Sequence, residues 1–317
     1  MQGDRRGFIQ SMLLMGGLLS LSEARAELLM EKNLLTKLTI LHTNDVHSHI
    51  DPFEVNDPKY PNLGGVKRRA NLINKIRSES DEVLLLDAGD IFQGTPYFNL
   101  YNGELELRLM SQMGYDASTM GNHDFDNGLD GFLNVKHNAN FPFICSNYDF
   151  SNTILNGKTI PFKVFDKGGI KIGVFGVGVE LEGLVGKRLY GNTVYNDPIE
   201  VANKYAKLLK DEQNCDLVIC LSHLGYEYSE DKVSDVVLAQ KTANIDLIIG
   251  GHTHTFLDEA ISYVNKEGKE VLVNQAGWAG IRLGKVDFYF DKISKKKLRI
   301  LQQKQGFVRS EEHTSEL

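Results

Sequence analysis

The chain of 317 residues is poor in cysteine, proline and tryptophan, and it carries no excess of positive charge. Three cysteines cannot form a closed disulfide framework, so we expect Cys145, Cys215 and Cys220 to be buried thiols, with a disulfide as the alternative. The net charge of −7 argues against a nucleic-acid-binding surface, because contacts to phosphates need basic side chains. The hydrophobic fraction of 42% is ordinary for a soluble globular protein.

The N-terminal segment has the pattern of an export signal. Arg5-Arg6 is a twin-arginine pair, the apolar stretch Met12–Leu21 follows it, and Ala24-Arg25-Ala26 offers the small residues that a signal peptidase accepts. We predict that residues 1–26 are a twin-arginine signal peptide and that the protein is exported folded to a periplasmic or other extracytoplasmic location. The apolar stretch is too short to cross a bilayer, so no stable membrane anchor is expected.

Residues 309–317 at the other end have no apolar periodicity. The same nine residues result from translating a widely used sequencing-adapter oligonucleotide, so we interpret them as a non-native tail; a frayed acidic tail is the alternative. Between these two terminal segments we predict a single domain, over residues 27–308.

Apolar patterning predicts strands that alternate with helices in the first half of this domain and a strand-rich last part. The predicted helices are 64–80, 104–113 and 198–210, and the predicted strands are 37–42, 83–86, 117–120, 143–146, 161–165, 170–177, 217–221, 247–249, 271–274 and 281–290. Two sheets packed face to face, with helices outside them, satisfy this pattern. The predicted fold class is therefore α/β, as a two-sheet α/β/β/α sandwich.

Short polar clusters follow several of these strands. They are Asp45-Val46-His47, Gly89-Asp90, Gly121-Asn122-His123-Asp124-Phe125-Asp126, Ser222-His223 and Gly250-Gly251-His252-Thr253-His254. Together they offer carboxylates, an amide and imidazoles, which are ligands that suit a pair of divalent transition metal ions. Two such ions can hold the attacking and leaving oxygens of a phosphoryl transfer.

The spacing within the clusters suggests how side chains share the ions. Asp45 and His47 are two residues apart in extended chain, which places both on one side, and His252 and His254 repeat this offset. Asp90 is our candidate for a carboxylate that bridges both ions. Taken alone, it could equally be an aspartate that stabilises a turn.

The remaining clusters supply further candidates. Asn122 offers a neutral oxygen ligand, and His223 arrives from a separate strand end. His123 can reach a substrate, while Asp126 can accept a hydrogen bond from its ring and fix one tautomer. We interpret Asp124 as a loop residue or a support for the ligands.

In this order, the clusters resemble the metallophosphoesterase (calcineurin-like) catalytic domain of the 5′-nucleotidase family. The strings Gly65-Val66-Lys67-Arg68-Arg69, Gly89–Pro96 and Gln275-Ala276-Gly277 support the resemblance, which covers residues 37–290. The resemblance implies a sandwich of that family's type with its site at strand ends. It also implies hydrolysis of phosphoric esters, most notably 5′-nucleotides, by in-line attack of a metal-bound hydroxide.

Site roles follow from the same resemblance. Asp45, His47, Asp90 and His254 would hold one divalent ion, and Asp90, Asn122, His223 and His252 would hold the other. His123 and Asp126 match the catalytic pair of the family. Manganese, zinc, cobalt and iron all fit this mixed nitrogen and oxygen set, so the identity of the ions stays open.

Family members that act on nucleotides usually carry a second, C-terminal domain that binds the nucleotide. The chain departs from this pattern. Either that domain was truncated, or it is a separate C-terminal nucleotidase domain protein that docks as a partner and without which the catalytic subunit is inactive. A cyclic phosphodiesterase or a nucleotide-sugar pyrophosphatase are alternative activities for the same site. A relative that hydrolyses a carrier-bound thiosulfonate is disfavoured by the intact spacing of His123 and Asp126.

Three neighbouring features receive simpler interpretations. We expect His49 to support the site rather than to bind an ion, and Trp278 either to line the site mouth or to pack. Lys67-Arg68-Arg69 is interpreted as a solvated helix face, because an amphipathic helix needs polar outer positions.

Overall fold

The computed structural model describes residues 34–302 and 306–308. The predicted signal peptide and the predicted tail lie outside the described residues. Both therefore stay predictions.

Within the described residues, two sheets of six strands form the centre of the domain. The strands are β1 (Leu35–Thr43), β2 (Glu82–Asp87), β3 (Ala117–Ser118), β4 (Tyr148–Asp149), β5 (Phe162–Lys167), β6 (Ile170–Gly178), β7 (Val194–Tyr195), β8 (Leu217–His223), β9 (Leu247–Ile249), β10 (Ile261–Val264), β11 (Glu270–Asn274), β12 (Arg282–Asp291), β13 (Lys297–Gln302) and β14 (Gly306–Phe307). The first sheet has the order β13-β12-β1-β2-β3, with β14 paired to β12, and the second has the order β10-β11-β9-β8-β6-β5. Strands β4 and β7 form a separate pair.

Parallel pairing decides where the chain leaves each sheet. β1, β2 and β3 are parallel neighbours in the first sheet, and β6, β8, β9 and β11 are parallel neighbours in the second. Strands that are parallel end at the same edge, so the loops that follow them gather there. The polar clusters of the sequence occupy these loops.

The helices cover the outer faces of both sheets. They are α1 (Val66–Glu79), α2 (Pro96–Tyr101), α3 (Glu104–Met113), α4 (Gly128–Lys136), α5 (Lys187–Tyr190), α6 (Pro198–Lys207) and α7 (Asp235–Lys241). One core cluster lies between the sheets and includes Leu38, Ile219 and Phe288, while two others join α1, α3 and α4 to the first sheet and α6 and α7 to the second. The predicted α/β/β/α sandwich is confirmed.

Local sequence explains the clearest helix boundaries. At the start of α6, Asp197 Oδ1 accepts a hydrogen bond from Glu200 N at 2.8 Å, and Pro198 occupies the first helical position, where its missing N–H costs nothing. At the end of α3, Gly114 has φ 70, a left-handed conformation that glycine adopts without strain.

Three predictions about the elements need correction. The strand predicted at 143–146 is absent, because Phe143 and Ile144 make only isolated bridges to Ser118 and Ile160. The helix predicted to reach residue 210 is α-helical to Lys207 and ends in a π-helical turn. Helices α2, α4, α5 and α7 were not predicted, since each is short and lacks a long apolar period.

The cysteine prediction is confirmed, because Cys145, Cys215 and Cys220 are all buried free thiols. None of the helices in the described part of the chain is long and apolar enough to cross a membrane.

Candidate metal centre

The candidate ligands lie at or just after the ends of β1, β2, β3, β8 and β9, and most of them have an unusual backbone conformation. Five of them have positive φ values: Asp45 (50°), His47 (49°), Asp90 (55°), His252 (75°) and His254 (53°). Residues with a side chain rarely adopt this region, although Asp, Asn and His do so more often than others, and surrounding contacts must fix the backbone there. Apolar periodicity carries no trace of these angles, so they could not be predicted from the sequence.

One group of ligands comprises Asp45, His47 and His254. The Nε2 atoms of His47 and His254 lie 3.1 Å apart, and His254 Nε2 lies 3.5 Å from Asp45 Oδ1. Ligand atoms about 3.0–3.4 Å apart are what an ion with bonds of about 2.1 Å requires.

The other group comprises Asp90, His223 and His252, with Asn122 beside them. His223 Nε2 lies 3.1 Å from Asp90 Oδ2, and His252 Nδ1 lies 2.8 Å from Asn122 Oδ1. Asp90 Oδ2 is also 3.7 Å from His47 Nε2 in the first group. Asp90 therefore stands between the two groups, where the bridging role was predicted.

Hydrogen bonds fix which ring nitrogens are available to ions. His223 Nδ1 donates to the carbonyl of Ala88 at 2.7 Å, and His47 Nδ1 donates to the carbonyl of Phe92 at 3.1 Å. Each Nε2 is then directed toward the other ligands, and buried His223 Nε2 lies 3.1 Å from Asp90 Oδ2. Histidine ligands of protein-bound metals usually donate their other ring N–H to a carbonyl or carboxylate in this way.

Two glycines make room for the ligands. A Cβ atom at Gly251 would lie 2.8 Å from His223 Nδ1, and one at Gly121 would collide with the Asp90 carboxylate. These glycines belong to the polar clusters Gly121–Asp126 and Gly250–His254, and the close approach explains why both positions lack a side chain. The donor types, their lone pairs and this cradle all fit two divalent ions.

The electrostatics of the metal-free site favour a bound cation. Burial alone would lower the pKa of His223, but the charge and hydrogen bond of Asp90, together with Asp45, raise it to about 10. Burial likewise opposes ionisation of Asp90, but His223 and His47 outweigh it and lower the pKa of that carboxyl group. Two buried carboxylates thus attract positive charge to one place.

His123 and Asp126 form the predicted pair. His123 Nδ1 and Asp126 Oδ2 are 2.9 Å apart, while the His123 ring lies with its centroid 5.3 Å from that of His47. The hydrogen bond to Asp126 is the largest cause of a raised pKa of His123, followed by partial burial, which lowers it, and by the charge of Asp90. The raised pKa favours the protonated form of the His123 ring, which lies beside the first group of ligands.

Asp124 supports the site through the backbone. It accepts hydrogen bonds from the N–H groups of Asp90 (3.0 Å), Ile91 (3.0 Å), Phe92 (3.3 Å) and Gly121 (2.8 Å). Burial and the charge of Asp90 raise the pKa of Asp124, yet a proton on either oxygen would face two amide donors. Asp124 therefore connects the Asp90 loop to the Asn122 loop. The sequence had predicted only a loop residue or a support for the ligands.

Aromatic rings border the first group of ligands. Trp278 stacks on His254 with an interplanar angle of 3°, and its edges meet His49, Phe53 and Tyr60. His49 lies outside both ligand groups, as predicted. Trp278 packs against four rings at once, so its position supports the packing interpretation.

The interpretation of Lys67-Arg68-Arg69 as a solvated face is wrong for one residue. Arg69 is only 2% exposed, and its Nε and Nη1 atoms have no hydrogen-bond partner among the described residues. The guanidinium group reaches a space that Gly280 leaves open, since a Cβ atom there would collide with Nη1. Helical periodicity could not reveal this, because the space belongs to a loop more than 200 residues away along the chain.

Comparison with known proteins agrees with this geometry. Residues 38–256 match the calcineurin-like phosphoesterase family, which is more than half of the chain. The chain belongs to that family. Its relatives include the trifunctional nucleotide phosphoesterase protein YfkN of Bacillus subtilis (strain 168), 36% identical over 295 residues, and the snake venom 5′-nucleotidase of Gloydius brevicauda, 34% identical over 276 residues.

A solved structure supports the same family membership. The 5′-nucleotidase precursor from Thermus thermophilus superimposes with a TM-score of 0.75 and 31% identity, covering 85% of this chain and 55% of that one. The two relatives cover 82% and 80% of this chain. The chain spans only 18% of the Bacillus protein and 45% of the venom enzyme, so it corresponds to about half of these relatives or less.

Asp124→Asn should lower the free energy of unfolding by roughly 2–4 kcal/mol, because an amide NH₂ would face two buried N–H donors that lose their acceptor. Urea unfolding of the metal-free protein measures this change. Asp130→Asn, at an exposed position of α4, is the matched control. Equal stability of the Asp124 variant and the control would contradict the bracing role.

Asp126→Asn should lower the pKa of His123 toward the ordinary 6.5, because the main cause of its raised value is lost. A raised pKa in the folded state means that the pairing stabilises fully below about pH 6.5 and that this stability is lost as pH rises through the folded value. Titration of the His123 ring protons by NMR in the metal-free protein measures the shift. An unchanged pKa would show that Asp126 does not control the ring.

Proposed function

We propose that the chain is a dinuclear metal-dependent phosphoric ester hydrolase that releases phosphate from 5′-nucleotides. The single observation that carries this proposal is the convergence of two ligand groups around Asp90, with the pair of His123 and Asp126 at their open side. The relatives named as 5′-nucleotidases support the choice of substrate.

Each group has a distinct task in this proposal. Two ions bound to these ligands would stabilise charge on the phosphoryl oxygens and lower the pKa of bound water. His123 donates a proton to the departing ester oxygen through Nε2, because Nδ1 is engaged by Asp126 at 2.9 Å. Asp126 holds the ring in this orientation and favours its protonated form.

A second candidate activity is hydrolysis of cyclic or diphosphate-linked nucleotides at the same ligands. The Bacillus relative is named a trifunctional nucleotide phosphoesterase, which favours a site that accepts several nucleotide esters. The other alternative is a catalytic subunit that is inactive until a separate C-terminal domain protein docks.

Product analysis tests the substrate choice directly, by phosphate release from AMP and by appearance of the monoester product from the other esters. Residues 27–307 would be loaded with manganese or zinc and offered AMP, a nucleotide sugar, a cyclic nucleotide and an aryl phosphodiester. Turnover of AMP is expected. Turnover of the aryl ester alone would overturn nucleotide specificity for this domain and direct the test to an added C-terminal domain protein.

The assigned roles predict different losses for two variants. His123→Ala should retain both ions and lose roughly 10²–10⁴-fold in rate, because only proton donation is removed. Asp90→Ala should lose metal as well, since it removes the carboxylate between both groups. Elemental analysis beside the rate assay separates the two effects, and full metal occupancy of the Asp90 variant would rule out the bridge.

We also propose that residues 1–26 direct folded export to an extracytoplasmic location. The twin-arginine pair, the short apolar stretch and the Ala24-Arg25-Ala26 site support this assignment. The mass of secreted protein should correspond to a chain that starts at Glu27, and retention of residues 1–26 would contradict the proposal.

A further inference from the structure

Gln275 lies between two ligand loops and takes no part in the chemistry described above. It follows β11 directly and is completely buried. Its neighbours in the chain, Asn274 on one side and Ala276 and Gly277 on the other, also bond to those loops. A buried amide next to a metal centre requires partners for both of its ends.

The amide of Gln275 holds the loop that carries His252 and His254. Its Nε2 donates to the carbonyl of Gly251 at 2.8 Å, and its Oε1 accepts from the backbone N–H of Thr255. Oε1 also accepts from the Thr253 hydroxyl at 3.2 Å. The bonds to Gly251 and Thr255 close a clamp around both histidines.

Backbone bonds strengthen this clamp from the same segment. Gly250 N donates to the carbonyl of Asn274 at 2.8 Å, and Gly277 N donates to the carbonyl of Thr255 at 3.0 Å. The loop from Gly250 to Thr255 is therefore bound along its whole length. Within it, His252 and His254 keep left-handed backbone angles that need such outside support.

The same segment also binds the loop of Asp45. Asn44 Oδ1 accepts from Ala276 N at 2.8 Å, Asn44 Nδ2 donates to the carbonyl of Gly277 at 2.6 Å, and Ala279 N donates to the carbonyl of Asp45 at 2.8 Å. Residues 274–279 therefore set the position of Asp45 relative to the two histidines. The bond from His252 N to the Asp45 carboxylate, at 2.9 Å, completes the connection.

We propose that Gln275 is a positioning residue that fixes His252 and His254 in their metal-binding geometry before any ion arrives. The proposal rests on the proposed function only in taking these histidines as metal ligands, and it makes no claim about the substrate. Preorganised ligands bind an ion without ordering a loop at the same time, so the clamp raises metal affinity.

The three side chains closest in shape to glutamine do not reproduce the clamp. Glutamate would place a second oxygen against the carbonyl of Gly251, whereas methionine, of similar length, offers no N–H and leaves Gly251 O and Thr255 N without the amide. Asparagine is one methylene shorter and cannot reach both loop atoms from the same backbone position.

Cobalt binding to the metal-free protein tests the proposal without any turnover assay. The ions bound per chain and the visible spectrum would be followed during titration of the wild type, Gln275→Met and Gln275→Glu. Gln240→Met, at an exposed position of α7, is the matched control. Both Gln275 variants should bind cobalt roughly 10–100-fold more weakly and show an altered spectrum, with the control unchanged.

The outcomes separate positioning from simple stabilisation. A lower midpoint of thermal unfolding with unchanged cobalt affinity and spectrum would overturn the proposal. If neither variant folds, hydrogen exchange in the metal-free wild type decides: protection of the Thr255 amide supports a preformed clamp, and rapid exchange overturns it. Normal cobalt binding by the wild type without hydrolysis of any ester would defeat the proposed function while leaving this inference intact.

Discussion

The site depends on holding together groups that repel one another. The Nε2 atoms of His47 and His254 lie 3.1 Å apart, and two buried carboxylates that repel each other, Asp45 and Asp90, approach the same imidazoles. Without a cation between them, this arrangement is unfavourable in a buried setting. The fold must therefore stabilise this arrangement, and it does so through hydrogen bonds to the backbone of the ligand loops.

The two sheets provide the first level of this organisation. Their parallel strands share an apolar core, and Leu38, Ile219 and Phe288 in that core are fully buried. Rigid strand ends then present the ligands at one edge. The second level is local: Asp124 gathers the N–H groups of two loops, and residues 274–279 join two others. Ions would complete a site that is already shaped.

Much of this architecture could be predicted from the sequence because strand ends and ligand chemistry leave local traces. Asp45, His47, His252 and His254 were found from their spacing after apolar runs, and the structure brings them together. The burial of Arg69 could not be predicted, since it depends on the absence of a side chain at distant Gly280. The contacts of Asp124 and Gln275 could not be predicted either, because their partners are backbone groups, which have no sequence signature.

Membership of the calcineurin-like phosphoesterase family and the geometry of the ligands lead to the same chemistry by independent routes. Anomalous diffraction from crystals loaded with manganese tests that chemistry most directly. The account predicts two ions about 3.5–4 Å apart, one beside Asp45, His47 and His254 and the other beside Asn122, His223 and His252, with Asp90 between them. A single ion, or ions bound away from Asp90, would contradict it.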